Sequence, residues 1–314
     1  MCIGGGDPKD TSHTPQRAMS FTSFGQFALQ PRQRVISQSP NLLKRFLGPE
    51  NPLTFNYLKQ FHSGEYRMGE DETWFKHEHA HYNELGNEIK FMHVYGNSSH
   101  NVIKMRMRTH DYIEGGDGRN LIEAGWGNDV IISGNQSAPW ERDDIGYRNS
   151  RIFGENGHDT LIMHGKVSGY GGPENDTLIA YNGSSWDKRN YMNGGVGDDT
   201  LIAWGRNSMT GNLGYDTFIV NAETARGGRA TVVDFDSDDK LIINFKTEGD
   251  VFGGIAGMDD PHREGEFMSY IRDTTGAVVA EVRCLLDDFD IDVTNGGTKV
   301  TITGQDFANF AHLV

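Results

Sequence analysis

The sequence predicts a fold dominated by β structure, in which short strands are laid down one after another by a repeated turn. Three observations carry that expectation. A nine-residue unit joining a glycine turn, an acidic residue and an aliphatic strand recurs through the middle of the chain. The 40 glycines among 314 residues, nearly twice the usual ~7%, concentrate in those turns. The acids or amides that close the turns fall at regular intervals: Asp111, Asn120 and Asp129 are nine apart, and from Asp159 through Asp176 and Asp199 to Asp216 the steps are 17, 23 and 17.

The unit is clearest at 194–202, GGVGDDTLI, where one nonapeptide supplies turn, metal ligand and strand. Counting the closing residue as position six, its relatives carry Asn120 in GGDGRNLIE, Asp129 in AGWGNDVII, Asp159 in GENGHDTLI, Asp176 in GGPENDTLI and Asp216 in GNLGYDTFI. Fainter copies close at Asn101 in GNSSHNVIK and at Asp111 in THDYIE.

These residues resemble the RTX, or hemolysin-type calcium-binding, repeat family, whose pattern is GGxGxDxUx with U a large apolar residue. The resemblance spans about 96–244, half of the chain. It implies a right-handed parallel β-roll in which Ca²⁺ lies between successive turns, held by turn carbonyls and by the residue at position six. Carried over residue by residue, the implied metal positions are Asp111, Asn120, Asp129, Asp159, Asp176, Asp199 and Asp216, with turn glycines Gly115, Gly154, Gly171, Gly194, Gly195 and Gly211. Pro173 and Glu174 depart from the pattern at positions three and four, and Asn212 replaces a glycine. Asn101 and Asn120 remove the charge from their turns, so fewer or weaker calcium sites than repeats are expected.

Element by element, residues 1–92 are expected to form a small mixed or helical N-terminal cap, partly mobile at its start. Within it NLLKRFLG and PLTFNYLKQF space Leu and Phe for short helices, and Glu70 to Met92, free of proline and rich in helix formers, reads as a helix over the first coil. Such caps shield the end of a repeat stack from water. Residues 93–228 are the roll. Its strands alternate between TLI-type segments, whose Leu161, Leu178, Leu201 and Phe218 stack inward, and return segments near Val167, Met192 and Met209. Two insertions, 134–150 with Trp140 and Tyr147 and 181–190 with Trp186, are expected to project from one face, where aromatic rings suit carbohydrate or a cell surface. Residues 229–314 form a C-terminal β cap, with a strand at 277–283 and a hairpin about Asn295 and Gly296. Asp234, Asp236 and Asp238 have EF-hand spacing, but Asp239 and Phe245 stand where that loop needs Gly and Glu.

Charge divides the chain. Residues 1–110 carry 13 Lys+Arg against 10 Asp+Glu, and the remainder 16 against 34, or +3 followed by −18. The acidic part disfavours nucleic acid and favours divalent cations. Cys2 and Cys284 sit at opposite ends and offer no disulfide framework. No run approaches the ~20 apolar residues of a transmembrane helix. The N-terminal residues lack the basic and apolar regions of a cleaved signal. The resemblance instead implies export whole by type I secretion machinery that reads an uncleaved C-terminal signal, and hence a secreted or cell-surface protein.

Two short motifs suggest chemistry. His77, Glu78 and His81 spell HExxH, a zinc-protease signature when carried on a helix. The further histidine such proteases place downstream is replaced by Asn87, and fewer than a hundred residues precede the repeats. Asp260, Pro261 and His262 form the triplet of alginate epimerases, but outside the β-helix that gives it meaning there. The expected function is therefore a non-catalytic calcium-binding roll, with a small calcium-stabilised hydrolase or polysaccharide-active enzyme as the alternative.

Overall fold

The computed structural model describes residues 63–77, 91–106, 108–133, 149–181, 189–222, 229–236, 238–245, 252–259, 267–273, 276–283, 290–295 and 298–303. Among the described residues all regular structure is β. The chain enters through β1 (Ser63–Arg67), β2 (Trp74–His77), β3 (Phe91–Tyr95) and β4 (Val102–Met105). The repeats then supply β5 (His110–Glu114), β6 (Leu121–Glu123), β7 (Val130–Ile132), β8 (Ser150–Phe153), β9 (Thr160–His164), β10 (Val167–Pro173), β11 (Thr177–Tyr181), β12 (Asn190–Val196), β13 (Thr200–Trp204), β14 (Asn207–Leu213) and β15 (Thr217–Ala222). Beyond them lie β16 (Ala230–Val232), β17 (Lys240–Phe245), β18 (Phe252–Asp259), β19 (Phe267–Asp273), β20 (Val278–Arg283), β21 (Asp290–Asn295) and β22 (Thr298–Thr303).

Successive strands go to alternate sheets. Odd-numbered strands from β1 to β17 pair in parallel in one eleven-stranded sheet, which ends in the antiparallel hairpin β21–β22. Even-numbered strands from β2 to β16 pair in parallel in the other, which ends in β20, β19 and β18 with antiparallel pairing. This is a parallel β-roll. Parallel pairing in register puts each residue type beside its counterpart one coil away, so the columns of the sequence repeat become physical columns.

The inward column of the odd sheet runs Val94, Ile113, Ile131, Leu161, Leu178, Leu201, Phe218 and Leu241, all buried. It faces Ile103, Ile122, Ile152, Met192, Met209 and Val232 on the even sheet. Size is matched across the gap. Gly169 stands in the even column where a Cβ would lie 2.6 Å from Met163 Sδ, so the long thioether fills the space the glycine leaves. A second apolar cluster stands on the outer face of the odd sheet, where Ile132, Ile162, Ile179, Ile202 and Ile219 form a buried row. Beside it His164, Tyr181 and Trp204 stack at 5.1 and 4.6 Å.

The helix expected from Glu70 to Met92 is corrected. Trp74–His77 is β2, pairing in parallel with β4, and Phe91 and Met92 open β3; residues 78–90 lie outside the described residues. The physical reason is that the column of the roll begins earlier than the glycine pattern does. Val94 and Phe75 take core positions next to Ile113 and Ile103, and pairing to an existing sheet edge outweighs weak helix propensity. The expected strand at 277–283 and the hairpin of β21 and β22 are present.

Candidate metal centre

Two long edges join the sheets. On one, turns lead from even to odd strands and close on Asp111, Asp129, Asp159, Asp176, Asp199 and Asp216. The register places these six carboxylates in a single column, each nearly or fully buried. Each coil is tied to the next through them. The backbone N–H of Asp111 donates to Asp129 Oδ1 at 2.7 Å, Asp129 to Asp159, Asp159 to Asp176, Asp176 to Asp199, and Asp199 to Asp216 at 2.8 Å.

One oxygen of each carboxylate from Asp129 onward is thereby used, and Asp111 Oδ2 accepts Thr109 Oγ1–H at 3.0 Å. The other is buried without a hydrogen-bond partner: Oδ1 of Asp111 and Oδ2 of Asp129, Asp159, Asp176 and Asp199. A buried anionic oxygen left so is costly, several times over in one column. Burial first, and then neighbouring carboxylates, push the carboxyls up: Asp111 to about 8, Asp159 to about 7, Asp176 to about 9, Asp199 to about 7 and Asp216 to about 6. Asp129, buried between Asp111 and Asp159, is raised well above its usual range.

The turn backbones close around these oxygens. At Gly154, Gly171, Gly194 and Gly211 an added Cβ would lie 2.0–2.2 Å from Oδ2 of the aspartate of the same turn. Gly195, at φ 128°, brings its Cα against Gly172 O of the preceding coil, where a Cβ would be 1.9 Å away. Only glycine tolerates both demands. The left-handed backbone persists where the sequence departs from glycine: Glu155, Glu174 and Asn212 have φ of 72°, 73° and 75°. The turn is thus kept although its residue types drift.

Carbonyl oxygens and unpaired carboxylate oxygens, without sulfur or imidazole, are the donor set of a hard cation such as Ca²⁺. No three His, Cys, Asp or Glu side chains converge on one metal position among the described residues. The residues that would hold calcium are therefore the column aspartates, one per coil, with carbonyls of the stacked turns. Bound there, the ion would supply the positive charge those buried oxygens lack.

The residues inferred from the sequence divide by edge. The six aspartates and Gly154, Gly171, Gly194, Gly195 and Gly211 meet on the edge just described. Asn120 and Gly115 lie on the opposite edge. There Asn101 N–H donates to Asn120 Oδ1, Asn120 N–H donates to Ser150 Oγ, and Asn190 Nδ2 donates to Asn207 Oδ1. That edge is a column of buried neutral groups. Of the HExxH motif, His77 ends strand β2; Glu78 and His81 lie outside the described residues, as do Trp140, Tyr147, Trp186 and the Asp260–His262 triplet.

Two features escaped the sequence reading. Asp239 extends the acid column by one coil, accepting Asp216 N–H at 3.0 Å, and its carboxyl is pushed up to about 7 by burial. The signal was present: Asp238, Asp239, Lys240, Leu241 and Ile242 repeat Asp198, Asp199, Thr200, Leu201 and Ile202. The second is a ladder at position five. His110 Nδ1 accepts Asn128 N–H, Asn128 Oδ1 accepts His158 N–H, His158 Nδ1 accepts Asn175 N–H, Asn175 Oδ1 accepts Asp198 N–H, and Asp198 Oδ1 accepts Tyr215 N–H. It runs opposite to the aspartate ladder, so each turn is pinned to both neighbours.

The family model for the RTX calcium-binding nonapeptide repeat matches this chain in four copies, over 108–137 and 187–218. These segments are RTX calcium-binding repeats. Comparison with curated proteins and with solved structures gave no match. The RTX model covers turns closing on Asp111, Asn120, Asp129, Asp199 and Asp216, and the acid column connects them through coils that it leaves out. The protein is a calcium-binding RTX β-roll, and no helix among its described residues is long and apolar enough to cross a membrane.

Proposed function

We propose that this RTX protein is exported unfolded, orders when it meets millimolar calcium, and then serves as a secreted or cell-surface structural and binding protein instead of an enzyme. The observation that carries the reading is the column of buried carboxylate oxygens without hydrogen-bond partners. Metal-free, the folded roll holds acids at short intervals along one edge. Bound calcium would compensate them in the folded state alone.

Mass action sets the scale. Extracellular calcium modules bind at ~10⁻⁴ to 10⁻³ M. At ~10 mM Ca²⁺ and a Kd of ~0.3 mM, each site adds about 2 kcal/mol. Three or four such sites approach the whole net stability of an ordinary domain, roughly 5–15 kcal/mol. At sub-micromolar calcium they add almost nothing. On this reading 93–228 is the calcium-ordered roll, 1–92 and 229–314 are its caps, and the type I secretion machinery reads the C-terminal part. Proteins carrying such repeats are typically secreted, which supports that assignment.

Circular dichroism of the full chain in chelator should show coil that converts to β structure as Ca²⁺ rises into the millimolar range. Mg²⁺ should substitute poorly, because it dehydrates reluctantly and demands octahedral geometry. A spectrum already fully β in excess chelator and unchanged by calcium would reject the switch. Export is tested separately: deleting the last ~50 residues, an allowance for an uncleaved signal, should retain the chain in the producing cell.

A further inference from the structure

A cavity of about 280 Å³ opens beside the acid edge, lined by Met105, Arg106, Glu123, Gly125, Trp126 and Glu155. We propose that it binds one sugar unit of an uncharged glycan, with the outer face of the even sheet carrying the next units of the chain. The proposal does not depend on the calcium switch beyond requiring the folded roll.

The wall of the cavity is an aromatic ring held in place from one side. Trp126 is 48% exposed although the turn fixes its backbone between bridges to Arg108 and Asn156. The guanidinium of Arg108 lies 4.9 Å from its ring centroid, so the indole is oriented while half of the residue stays open to solvent. An indole face suits the C–H face of a pyranose, which is apolar while its rim is a ring of hydroxyls. Around the ring stand groups that such hydroxyls need: carboxylates of Glu123 and Glu155 as acceptors and the guanidinium of Arg106 as donor.

Charge argues for a neutral occupant. Glu123 is paired with Lys104 at 2.6 Å. The field of Glu123 on Glu155 is offset by Arg106 and Lys104. Two carboxylates against three cations, Arg108 on the ring included, leave only a small net positive charge for an anion to recognise, and directional hydrogen bonds remain. The volume, close to the lower end of small-molecule pockets at ~300 Å³, fits a single small unit.

Glu155 ties the cavity to the turn. It occupies the second turn position, where Gly172 and Gly195 stand in the next coils, and it keeps their left-handed backbone at φ 72°. A side chain there is less favourable than glycine. Glu174 and Asn212 carry the same backbone in other turns, but only at Glu155 does the side chain line the cavity wall. Beside the cavity an aromatic column runs along the even sheet. In the register column from Glu123 through Phe153 to Tyr170, the last two rings stack at 4.8 Å with 7° between their planes, and Tyr170 is 37% exposed. A platform of two rings next to a one-unit cavity fits a chain better than a free monosaccharide.

The test uses the full chain folded in ~10 mM Ca²⁺, titrated with cellohexaose, maltohexaose and N-acetylchitohexaose, and with polygalacturonate as the anionic control. Tryptophan fluorescence and calorimetry are read together. At least one neutral hexasaccharide should bind with Kd of about 10⁻⁴ M, and Trp126→Ala should weaken it by about tenfold or more. Glu155→Gly is the decisive variant. It restores the glycine of the turn, so calcium-dependent folding should be kept or strengthened while glycan affinity falls by a similar factor. Tyr170→Ala should weaken the hexasaccharides and leave a monosaccharide unaffected. No neutral hexasaccharide bound at ~1 mM, a preference for polygalacturonate, or wild-type affinity in both Trp126→Ala and Glu155→Gly would each overturn the proposal.

Discussion

At the scale of single residues, each column aspartate has two separable tasks. One oxygen accepts the backbone N–H of the preceding coil, and the other is buried without a hydrogen-bond partner in most of the column. Asp199→Asn keeps an acceptor for Asp176 N–H but removes the charge, so the metal-free chain should be little changed while the calcium midpoint rises severalfold. Asp199→Ala loses both tasks and should destabilise the roll by a further ~1–3 kcal/mol, the cost of a buried donor left unpaired. Asn120→Ala, on the neutral edge, should shift the calcium midpoint less than either; equal shifts in calcium titrations would contradict the division of edges. Acidity acts on the same oxygens. Burial raises these carboxyls above the ~3.9 of an unfolded aspartate, to between about 6 for Asp216 and about 9 for Asp176. Protons therefore favour the folded metal-free chain, an effect fully present below about pH 4 and lost as pH rises through about 6 to 9. Their neighbours are acidic: Glu155 and Glu174 act on Asp159, and Asp198 and Asp216 on Asp199. His110, whose imidazole is held below its usual range by burial, stays an acceptor at the acid end. In chelator any residual β signal should therefore be greatest at ~pH 4 and be lost as pH rises through about 6 to 9, whereas calcium affinity should rise, because the metal needs the ionised form. A chelated β signal that grows over that range would refute the assignment.

At the scale of the turn and strand, what matters is backbone shape. Gly194→Ala would drive a Cβ to 2.2 Å from Asp199 Oδ2, and Gly195→Ala adds a collision with Gly172 O to a φ of 128°. Each should abolish or greatly weaken calcium-dependent folding. Asn212→Gly should do the reverse, relieving a left-handed residue by several tenths of a kcal/mol up to ~1, seen as a higher thermal midpoint. This is also where the sequence was most and least informative. The glycine turns and TLI strands were legible because turn, ligand and core position recur in fixed phase, and the inward stack of Leu161, Leu178, Leu201 and Phe218 followed directly. Trp74–His77 was misread because it precedes the glycine pattern: a short segment with mixed propensity takes its conformation from the sheet edge beside it. The outer row of isoleucines was also hidden. Burial of both strand faces erases the alternation that marks inside from outside. Position five escaped for another reason: His, Asn and Asp look unrelated in a sequence and share only an acceptor atom.

At the scale of the whole molecule, the two edges differ in what they permit. Coil length, counted between aspartates joined by hydrogen bonds, runs 18, 30, 17, 23, 17 and 23 residues. On the acid edge the turn never changes: Gly154 to Asp159, Gly171 to Asp176, Gly194 to Asp199 and Gly211 to Asp216 all take the same six positions. All variation falls on the amide edge, which is crossed by two residues at Gly165 and Lys166 and by many between Ser133 and Ser150. One edge therefore acts as a ruler and the other as a row of ports. A flexible insert of ~10 residues between Gly165 and Lys166 should cost little, since loop closure grows slowly with length, and should leave the calcium midpoint in place. The same insert between Val196 and Gly197 should destroy it. A lineage of such rolls is free to change what it displays between coils without disturbing how it measures calcium, because the two properties are written on opposite sides of the same strand.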